Sequence, residues 1–389
     1  MSMFEIWAIL SIFLFIATLP GTLELILLTF GAIFSIFQKS KVKHGERTKK
    51  VIVVVPAHQE ENGIRQTLSS LQACTGTFTI VVIADNCTDG TSQIAKNMGI
   101  RVLERNDPVK KGKNYALEYA FSILLKEDYE LFAVIDADTI VEPNFISEIS
   151  QVDGDLIQVR YGQLHTKHTM KSRRMHLAFL AFNYLRPLGR QYWGFSSGIF
   201  GNGYAIRRKT LEANPLIPTS IVEDLAYHID LIRNGYKVQF TDQTAVFSEI
   251  YVNNRGFQTQ RARWEGGRLR TVLDYTPVLI KEIFSGKLQL IEPLLDLLLP
   301  PLSYYAALLI VLLFSPMSFI QWYAVASIGI LLIHLFVASK LGKGTFKEFL
   351  LLILSAPYYI FWKLMQIPKI IAASKKGFEW KRTDRTNKE

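Results

Sequence analysis

Apolar residues are concentrated at the two ends of this chain, and this distribution constrains its fold more than any other feature. From Phe4 to Phe37 the only charged residues are Glu5 and Glu24. An apolar run of about twenty residues can cross a bilayer, and this run is too long for a signal peptide. We expect one crossing with a kink at Pro20-Gly21, although two short segments that turn back near Glu24 fit the same residues.

A basic stretch follows this segment. It contains Lys39, Lys41, Lys43, Arg47, Lys49 and Lys50. Basic flanks face the cytoplasm, so we expect the next domain to be cytosolic. The net charge of +10 is also compatible with nucleic-acid binding. However, many basic residues flank apolar segments, where anionic headgroups are the nearer partner, so we expect membrane lipid and no nucleic acid as a partner.

Two further apolar segments, Leu297 to Phe314 and Met317 to Ala338, predict a hairpin of transmembrane helices. A third run, Phe349 to Ile371, contains Pro357, Lys363 and Pro368 and has basic residues on both sides. Equal basicity on both sides favours an interfacial or re-entrant segment over a full crossing.

These segments predict four regions in a multi-pass protein of the cell membrane. They are a transmembrane segment at 1–38, a cytosolic domain with an interfacial helix at 39–275, a C-terminal membrane region at 276–374 and a basic cytosolic tail at 375–389. A hydrophobic content of 49% excludes a wholly disordered chain, and two cysteines exclude a disulfide scaffold.

Short apolar runs alternate with helical stretches in the first half of the central domain. The runs are Val51 to Val55, Ile80 to Ala84, Val102 to Glu104 and Leu131 to Ile135. This alternation predicts an α/β fold with a parallel sheet, in which ligands bind beyond the carboxyl ends of the strands. No glycine-rich phosphate loop follows these strands, so a bound nucleotide would need a metal to meet its phosphates.

Acidic and amide residues stand at three of these strand ends. They are Pro56-Ala57-His58-Gln59-Glu60, Asp85-Asn86-Cys87-Thr88-Asp89 and Asp136-Ala137-Asp138. Asp136 and Asp138 are two residues apart, so both carboxylates can hold one divalent ion, although an isolated pair of this kind is more often a solvated turn. Asp85 suits either a helix cap or a contact with a base or ribose.

Two later motifs are equally ambiguous when taken alone. Val222-Glu223-Asp224 opens a predicted helix that ends at Asn234-Gly235, where Asp224 suits the helix dipole. Gln260-Arg261-Ala262-Arg263-Trp264 lies in a basic amphipathic stretch, which is typical of a membrane-surface helix.

The order of the motifs is more specific than any one of them. PAHQE, ADNCTD, KKGK, DAD, VED and QRARW follow one another over about residues 50 to 270. The whole resembles the family 2 glycosyltransferases with the GT-A fold. More narrowly, it is similar to the membrane-embedded branch that includes cellulose, chitin, hyaluronan and poly-N-acetylglucosamine synthases. The resemblance implies a Rossmann-like nucleotide-sugar-binding domain flanked by transmembrane or interfacial helices.

The resemblance also implies roles for single residues. Donor binding would involve Pro56, Glu60, Asp85, Lys111, Asp136 and Gln260. Among these, Asp85 would contact the uracil or ribose, and Lys111 would approach the nucleotide or its diphosphate. Asp138 would ligate Mg²⁺ or Mn²⁺ on that diphosphate, where the metal neutralises charge on the departing phosphate.

The remaining roles concern the acceptor. Asp224 would be the general base that takes the proton from an acceptor hydroxyl, and a single displacement would invert the anomeric configuration. Arg263 would hold the diphosphate, and Trp264 would stack on the acceptor sugar. The implied reaction is transfer of a hexose from a nucleotide sugar, such as a UDP-sugar, to a saccharide or lipid-linked acceptor at the cytosolic membrane face.

Departures from the family pattern leave three hypotheses. No FxVTxK-like gating segment follows QRARW, and the C-terminal membrane region is short for a polymer channel. The first hypothesis is a polysaccharide synthase, with accessory export or synthase subunits as candidate partners. The second is a single-step transferase to a lipid acceptor. The third hypothesis is a catalytically inactive nucleotide-sugar-binding subunit, which the intact Asp138, Asp224 and Arg263 disfavour.

Two other stretches remain ambiguous. The small residues from Ser196 to Gly203 suit either a wall near the acceptor or an ordinary packed loop. The ending from Trp380 to Arg385 is similar to a W-x-x-T-x-R ending of some relatives, and a solvated basic tail is the alternative.

Overall fold

The computed structural model describes residues 1–38, 45, 50–164, 169–216, 223–249 and 255–374, without the side chains of residues 223, 249, 255–260 and 263. The six basic residues after the first apolar segment, apart from Lys50, lie outside this part of the chain, as does the ending from Trp380 to Arg385.

The central domain is built on a mixed eight-stranded sheet of the described residues. The strands are β1 (Val51–Ala57), β2 (Phe78–Asp85), β3 (Arg101–Arg105), β4 (Leu131–Val134), β5 (Thr139–Val141), β6 (Leu156–Leu164), β7 (Tyr204–Arg207) and β8 (Val238–Glu249). Their order across the sheet is β3-β2-β1-β4-β7-β6-β8-β5. The strands β3, β2, β1 and β4 are parallel, as the alternating pattern predicts.

The other half of the sheet, which the alternating pattern of the first half of the domain does not cover, is mixed. Strand β7 runs antiparallel to β4 and β6, and β5 runs antiparallel to β8. These strands come from distant parts of the chain and lack the strand–helix alternation that identifies a parallel unit.

Helices cover both faces of this sheet. Those of the central domain are α2 (Ile64–Gln72), α3 (Thr91–Asn97), α4 (Lys113–Leu124), α5 (Phe145–Ile149), α6 (Met170–Leu180), α7 (Arg186–Trp193), α8 (Arg208–Ala213) and α9 (Glu223–Arg233). Alternate residues of β1 point to opposite faces, so Val53 packs with α2 and Ile52 packs with α4. Burial on both faces explains why β1 is a continuous apolar run.

The helices of the two apolar ends pack against this domain and each other. They are α1 (Met3–Gln38), α10 (Arg255–Phe284), α11 (Ile291–Leu298), α12 (Leu302–Leu312), α13 (Ser318–Leu341), α14 (Phe346–Leu354), α15 (Ala356–Leu364) and α16 (Ile367–Ala373). Among the described residues, α1 and α13 are long and apolar enough to cross a membrane. The chain is therefore a membrane-associated protein, and its orientation stays a prediction.

The first apolar segment forms one helix and does not turn back. Pro20 lies inside α1, which has 36 residues and is therefore about 54 Å long. The helix packs tightly on α7, where a Cβ atom on Gly189 would collide with the Leu28 carbonyl oxygen. Glu24 is buried in this contact and pairs with Arg190 of α7 at 3.3 Å. The charge within this apolar segment thus has a partner in the central domain.

The first segment of the predicted hairpin of transmembrane helices differs in the structure from the single helix that the sequence predicts. Leu297 to Phe314 is not one straight helix, because the chain breaks after α11 at Pro300-Pro301, and α11 with its preceding turn meets α12 at 80°. Proline removes a backbone donor and prevents the helix from continuing. Helix α12 has 11 residues and is about 16 Å long, which is shorter than the hydrocarbon core of a bilayer.

The third apolar run is divided into the short helices α14, α15 and α16, each with nine residues or fewer. Pro357 and Pro368 stand at the starts of α15 and α16. The predicted boundary at residue 275 falls inside α10, which continues to Phe284. How these elements sit in the membrane stays a prediction.

Candidate active site

A cavity of about 1270 Å³ opens at the carboxyl ends of β1, β2 and β4 and extends between α10 and the helices α12 to α15. Eight of the ten predicted site residues line it: Pro56, Glu60, Asp85, Lys111, Asp136, Asp138, Asp224 and Trp264. The other two, Gln260 and Arg263, lie on α10 with Trp264, but their side chains are outside the described part of the structure. We call the part lined by the strand ends and Asp224 the polar end, and the part lined by α12 to α15 the apolar end.

Two left-handed residues shape the turns at the polar end. Gln59 has φ 57° after β1, and Asn86 has φ 50° after β2. This conformation costs energy for residues other than glycine, so it needs support from its surroundings. Gln59 receives that support from the second turn, because its side-chain oxygen accepts hydrogen bonds from the backbone N–H groups of Thr88 and Asp89 at 3.2 and 3.1 Å. The two strand ends are thereby held together.

Asp85 is held by a buried ion pair that the sequence interpretation missed. Arg105 of β3 donates to its carboxylate at 2.5 Å, and the two side chains are 8% and 6% exposed. Asn86 donates to the same carboxylate oxygen at 3.1 Å. Strand pairing of β2 with β3 places Asp85 beside Arg105, and this register is not visible in the spacing of the motif.

Asp136 is paired with Lys113, the first residue of α4. The Lys113 ammonium also donates to the Gly201 carbonyl oxygen, so it links the DAD turn to the loop before β7. Lys111, the predicted lysine, lines the same cavity but is exposed. Both lysines belong to the KKGK motif, and only the tertiary fold distinguishes them.

Asp136, Asp138 and Tyr161 line the same cavity. Burial raises the pKa of the Tyr161 hydroxyl, and the negative charges of both aspartates raise it further. Within the described chain no three His, Cys, Asp or Glu side chains form a complete metal site. One or two carboxylates completed by phosphate oxygens are, however, a usual way to hold Mg²⁺. The residues present therefore fit a divalent ion that is shared with a diphosphate.

Asp224 stands in the first turn of α9, beside Gly201. A Cβ atom on Gly201 would lie 3.3 Å from Asp224 Oδ2, and its φ of 75° also favours glycine. Burial raises the pKa of the Asp224 carboxyl, an effect that the N–H of Leu225 and the charge of Lys113 partly offset. A carboxylate with a raised pKa binds a proton more readily than an exposed aspartate, as a general base requires.

The loop from Ser196 to Gly203 both packs against the domain and lines the cavity, and its role as a wall near the acceptor stays a prediction. Gly198 and Gly201 line the cavity, as a wall near an acceptor would. Asn202 is buried and accepts a hydrogen bond from the backbone N–H of Asp136 at 3.0 Å, which is a packing role. Ser196 hydrogen-bonds His228 of α9 at 2.8 Å, and burial lowers the pKa of that histidine to about 3.

A π-helical turn between α6 and α7 is a second feature that the sequence analysis missed. It spans Ala181–Leu185 and places Phe182 and Asn183 on the cavity wall. Such turns insert one residue into a helix and often occur at functional sites. No breaker residue marks this turn in the sequence.

Trp264 of α10 lines the cavity and is 39% exposed. Its neighbours on α10 are held by ion pairs: Arg261 binds Glu265 at 2.9 Å, and Glu265 also binds Lys363 of α15. Arg261 further donates to the hydroxyl of Tyr359. The helix that carries QRARW is thus attached to the helices of the apolar end.

Comparisons with known proteins agree with this architecture. The model of the family described as "Glycosyltransferase like family 2" matches residues 48–267. The probable glycosyltransferase YdaM of Bacillus subtilis (strain 168) is 24% identical over 257 residues, which cover 61% of this chain and 60% of YdaM. The match thus spans less than two thirds of YdaM.

Hyaluronan synthase of Streptococcus pyogenes is 23% identical over 305 residues, which cover 71% of this chain and 70% of the synthase. Among solved structures, a mannosyltransferase from Pyrobaculum calidifontis in complex with GDP-Man and Mn²⁺ has a TM-score of 0.50 at 17% identity. That similarity covers 92% of this chain and 97% of the mannosyltransferase, and it concerns the fold alone. Since the family model covers more than half of its residues, the chain belongs to glycosyltransferase family 2 and is a glycosyltransferase with the GT-A fold.

Proposed function

We infer that this glycosyltransferase moves a hexose from a nucleotide sugar, a UDP-sugar, to an acceptor hydroxyl at the cytosolic membrane face, with inversion at the anomeric carbon. The observation that carries this proposal is that Asp136, Asp138 and Asp224 line one cavity although they come from different elements. The match to hyaluronan synthase and the fold shared with a mannosyltransferase support a sugar-transfer reaction.

The polar end suits the donor. Asp85 is oriented by Arg105 and can accept a hydrogen bond from a ribose or base. Lys113 and Lys111 place two positive charges on the wall near Asp136, where a diphosphate would lie. Asp138, with Asp136 beside it, would hold Mg²⁺ or Mn²⁺, which supplies neutralisation of the charge on the departing diphosphate when it is bound.

Asp224 suits the acceptor. It would accept the proton of the attacking hydroxyl while the bond from the anomeric carbon to the diphosphate oxygen breaks. Gly201 keeps the space beside its carboxylate clear. Trp264 and Arg263 would orient the acceptor and the diphosphate, so that much of the rate comes from positioning.

The test is the isosteric variant Asp224→Asn in the purified full-length protein. With UDP-glucose, UDP-N-acetylglucosamine or GDP-mannose as donor and with Mn²⁺ and membrane lipid present, transfer should fall roughly 10³-fold, because a general base is lost. UDP binding, measured by titration calorimetry, should persist. Asp230→Asn is the matched control on α9, since Asp230 pairs with Arg233 at 2.7 Å and does not line the cavity.

The raised pKa of Asp224 gives the test a second measurement. Wild-type transfer should fall as pH drops through that pKa, which lies above the ordinary value of 3.8, and the residual transfer of Asp224→Asn should lack this limb. Folding disfavours the ionised carboxylate above this pKa, so the Asn variant should also have a Tm at neutral pH at least as high as wild type. Equal transfer by both proteins, or none by wild type with any of the three donors, would contradict the proposed function.

A further inference from the structure

Hydrocarbon side chains from four helices form the apolar end of the cavity. Among the described residues of α12 to α15, only Ser303 and Tyr359 contribute polar groups to the cavity wall. The other wall residues include Ala306, Ile310, Leu331, Leu332, Ile353 and Ile360. The cavity that these residues line measures about 1270 Å³ in all, so it has room for an occupant.

This wall matches a hydrocarbon chain and does not match a sugar polymer. A saccharide carries a hydroxyl on most ring carbons, and each buried hydroxyl without a hydrogen-bond partner costs free energy. The aliphatic wall supplies few partners for such hydroxyls. A lipid chain loses no hydrogen bonds there and removes apolar surface from water.

Cations stand where the apolar end meets α10. Arg174 and Arg261 lie over the ring of Tyr359, at 5.3 and 5.6 Å from its centroid, and both line the cavity. Glu265 is shared between Arg261 and Lys363, so one carboxylate serves two cations. Within the described chain, the buried Nε of Arg174 has no hydrogen-bond partner.

Lys171 of α6 is a third cation near Arg174 and Arg261. Burial lowers the pKa of the Lys171 ammonium, and the charges of Arg261 and Arg174 lower it further. Arginine side chains that face one another in a partly buried site are stabilised by an anion, and phosphate matches their planar donors.

We propose that the acceptor is a phospholipid with a free headgroup hydroxyl, bound with its phosphate at Arg174 and Arg261 and a hydrocarbon chain between α12 and α15. This inference rests on the proposed function. The headgroup oxygen forms a bond to the anomeric carbon, the bond from that carbon to the diphosphate oxygen breaks, and the hydroxyl proton passes to Asp224. The products are a glycosylated phospholipid and a nucleoside diphosphate, so the enzyme adds sugar to lipid and does not export a polymer.

The first experiment measures lipid binding without any donor. Full-length protein in detergent is illuminated with phosphatidylglycerol that carries a photoreactive group on an acyl chain, and the labelled peptides are identified by mass spectrometry. We expect label on the cavity-lining residues of α12 to α15, and about tenfold less label in Arg174→Gln, because a charge-assisted contact is lost. Arg173→Gln is the matched control, since Arg173 pairs with Glu348 at 3.5 Å and does not line the cavity. Label outside these helices, or equal labelling of both variants, would overturn the proposal.

The second experiment follows the sugar in phosphatidylcholine vesicles that contain phosphatidylglycerol. Leu332→Trp fills the apolar end and should reduce sugar incorporation into extracted lipid roughly tenfold or more, because added volume excludes the chain. Val325→Trp is the control on the same helix, since Val325 is 49% exposed and lies outside the cavity wall. A water-soluble polysaccharide product, or equal incorporation by the two tryptophan variants, would refute a lipid acceptor.

Failure of the proposed function can be distinguished from failure of this inference. If the proposed function is wrong, sugar transfer is absent or does not depend on Asp224, whereas photolabelling by the lipid is unaffected.

Discussion

The two ends of the cavity are lined by different kinds of side chain. At the polar end, charges are held by partners: Arg105 holds Asp85, and Lys113 holds Asp136. At the apolar end, the wall residues of α12 to α15 are aliphatic apart from Ser303 and Tyr359. Paired charges keep a fixed geometry, whereas an aliphatic wall accepts any chain of suitable width. If the proposed function holds, we expect the donor to meet a site of fixed geometry and the hydrocarbon part of the acceptor to be selected mainly for its hydrophobicity.

The largest effect should come from breaking the buried pair at the polar end. Arg105→Gln leaves the Asp85 carboxylate buried without its cation, which should cost about 3 kcal/mol of stability. Arg101→Gln on the same strand is the control, because its pair with Glu127 is 39% and 34% exposed and should contribute less than about 1 kcal/mol. Thermal unfolding of the full-length variants measures both. Equal Tm values would mean that the polar end does not depend on this pair.

A smaller effect should separate the two lysines of the KKGK motif. Lys113→Met removes the partner of Asp136 and the hydrogen bond to Gly201, so we expect about tenfold weaker UDP binding in the presence of Mn²⁺. Lys111→Met removes an exposed charge and should weaken binding only a few-fold. Titration calorimetry compares the variants. A larger loss at Lys111 would reassign the diphosphate contact to the lysine predicted from the motif.

The smallest effect should come from a volume-conserving substitution in the wall of the apolar end. Leu335→Met keeps the volume and polarity of the cavity wall, so stability should change by less than about 1.5 kcal/mol and sugar transfer by no more than a few-fold. The measurement is sugar incorporation at saturating donor, with Tm as the control for folding. Loss of transfer in this variant at unchanged Tm would show that the apolar end recognises shape and would remove the contrast between the two ends.

The sequence predicted which strand-end residues lie together, because that information is local; their roles in donor binding stay a prediction. Residues that follow β1, β2 and β4 must lie at one edge of a parallel sheet. The strand pattern alone was therefore enough to place Asp85, Asp136 and Asp138 together. The start of α9 at Glu223 and its end before Gly235 were also predicted from the first-turn acids and the terminal glycine. Arg105 and Lys113 were missed as partners, because strand register and side-chain direction decide them.

The apolar runs by themselves determined that this chain has helices fit to cross a membrane, and the ordered motifs determined its family. Tertiary structure decided that α1 is a single helix, that Leu297 to Phe314 bends at two prolines, and that helices α12 to α15 extend the cavity beyond Asp224. The physical reason is that hydrophobicity indicates which residues leave water but not which neighbours they meet. Only the packed structure shows that helices α12 to α15 line the apolar end of the cavity with mainly aliphatic side chains.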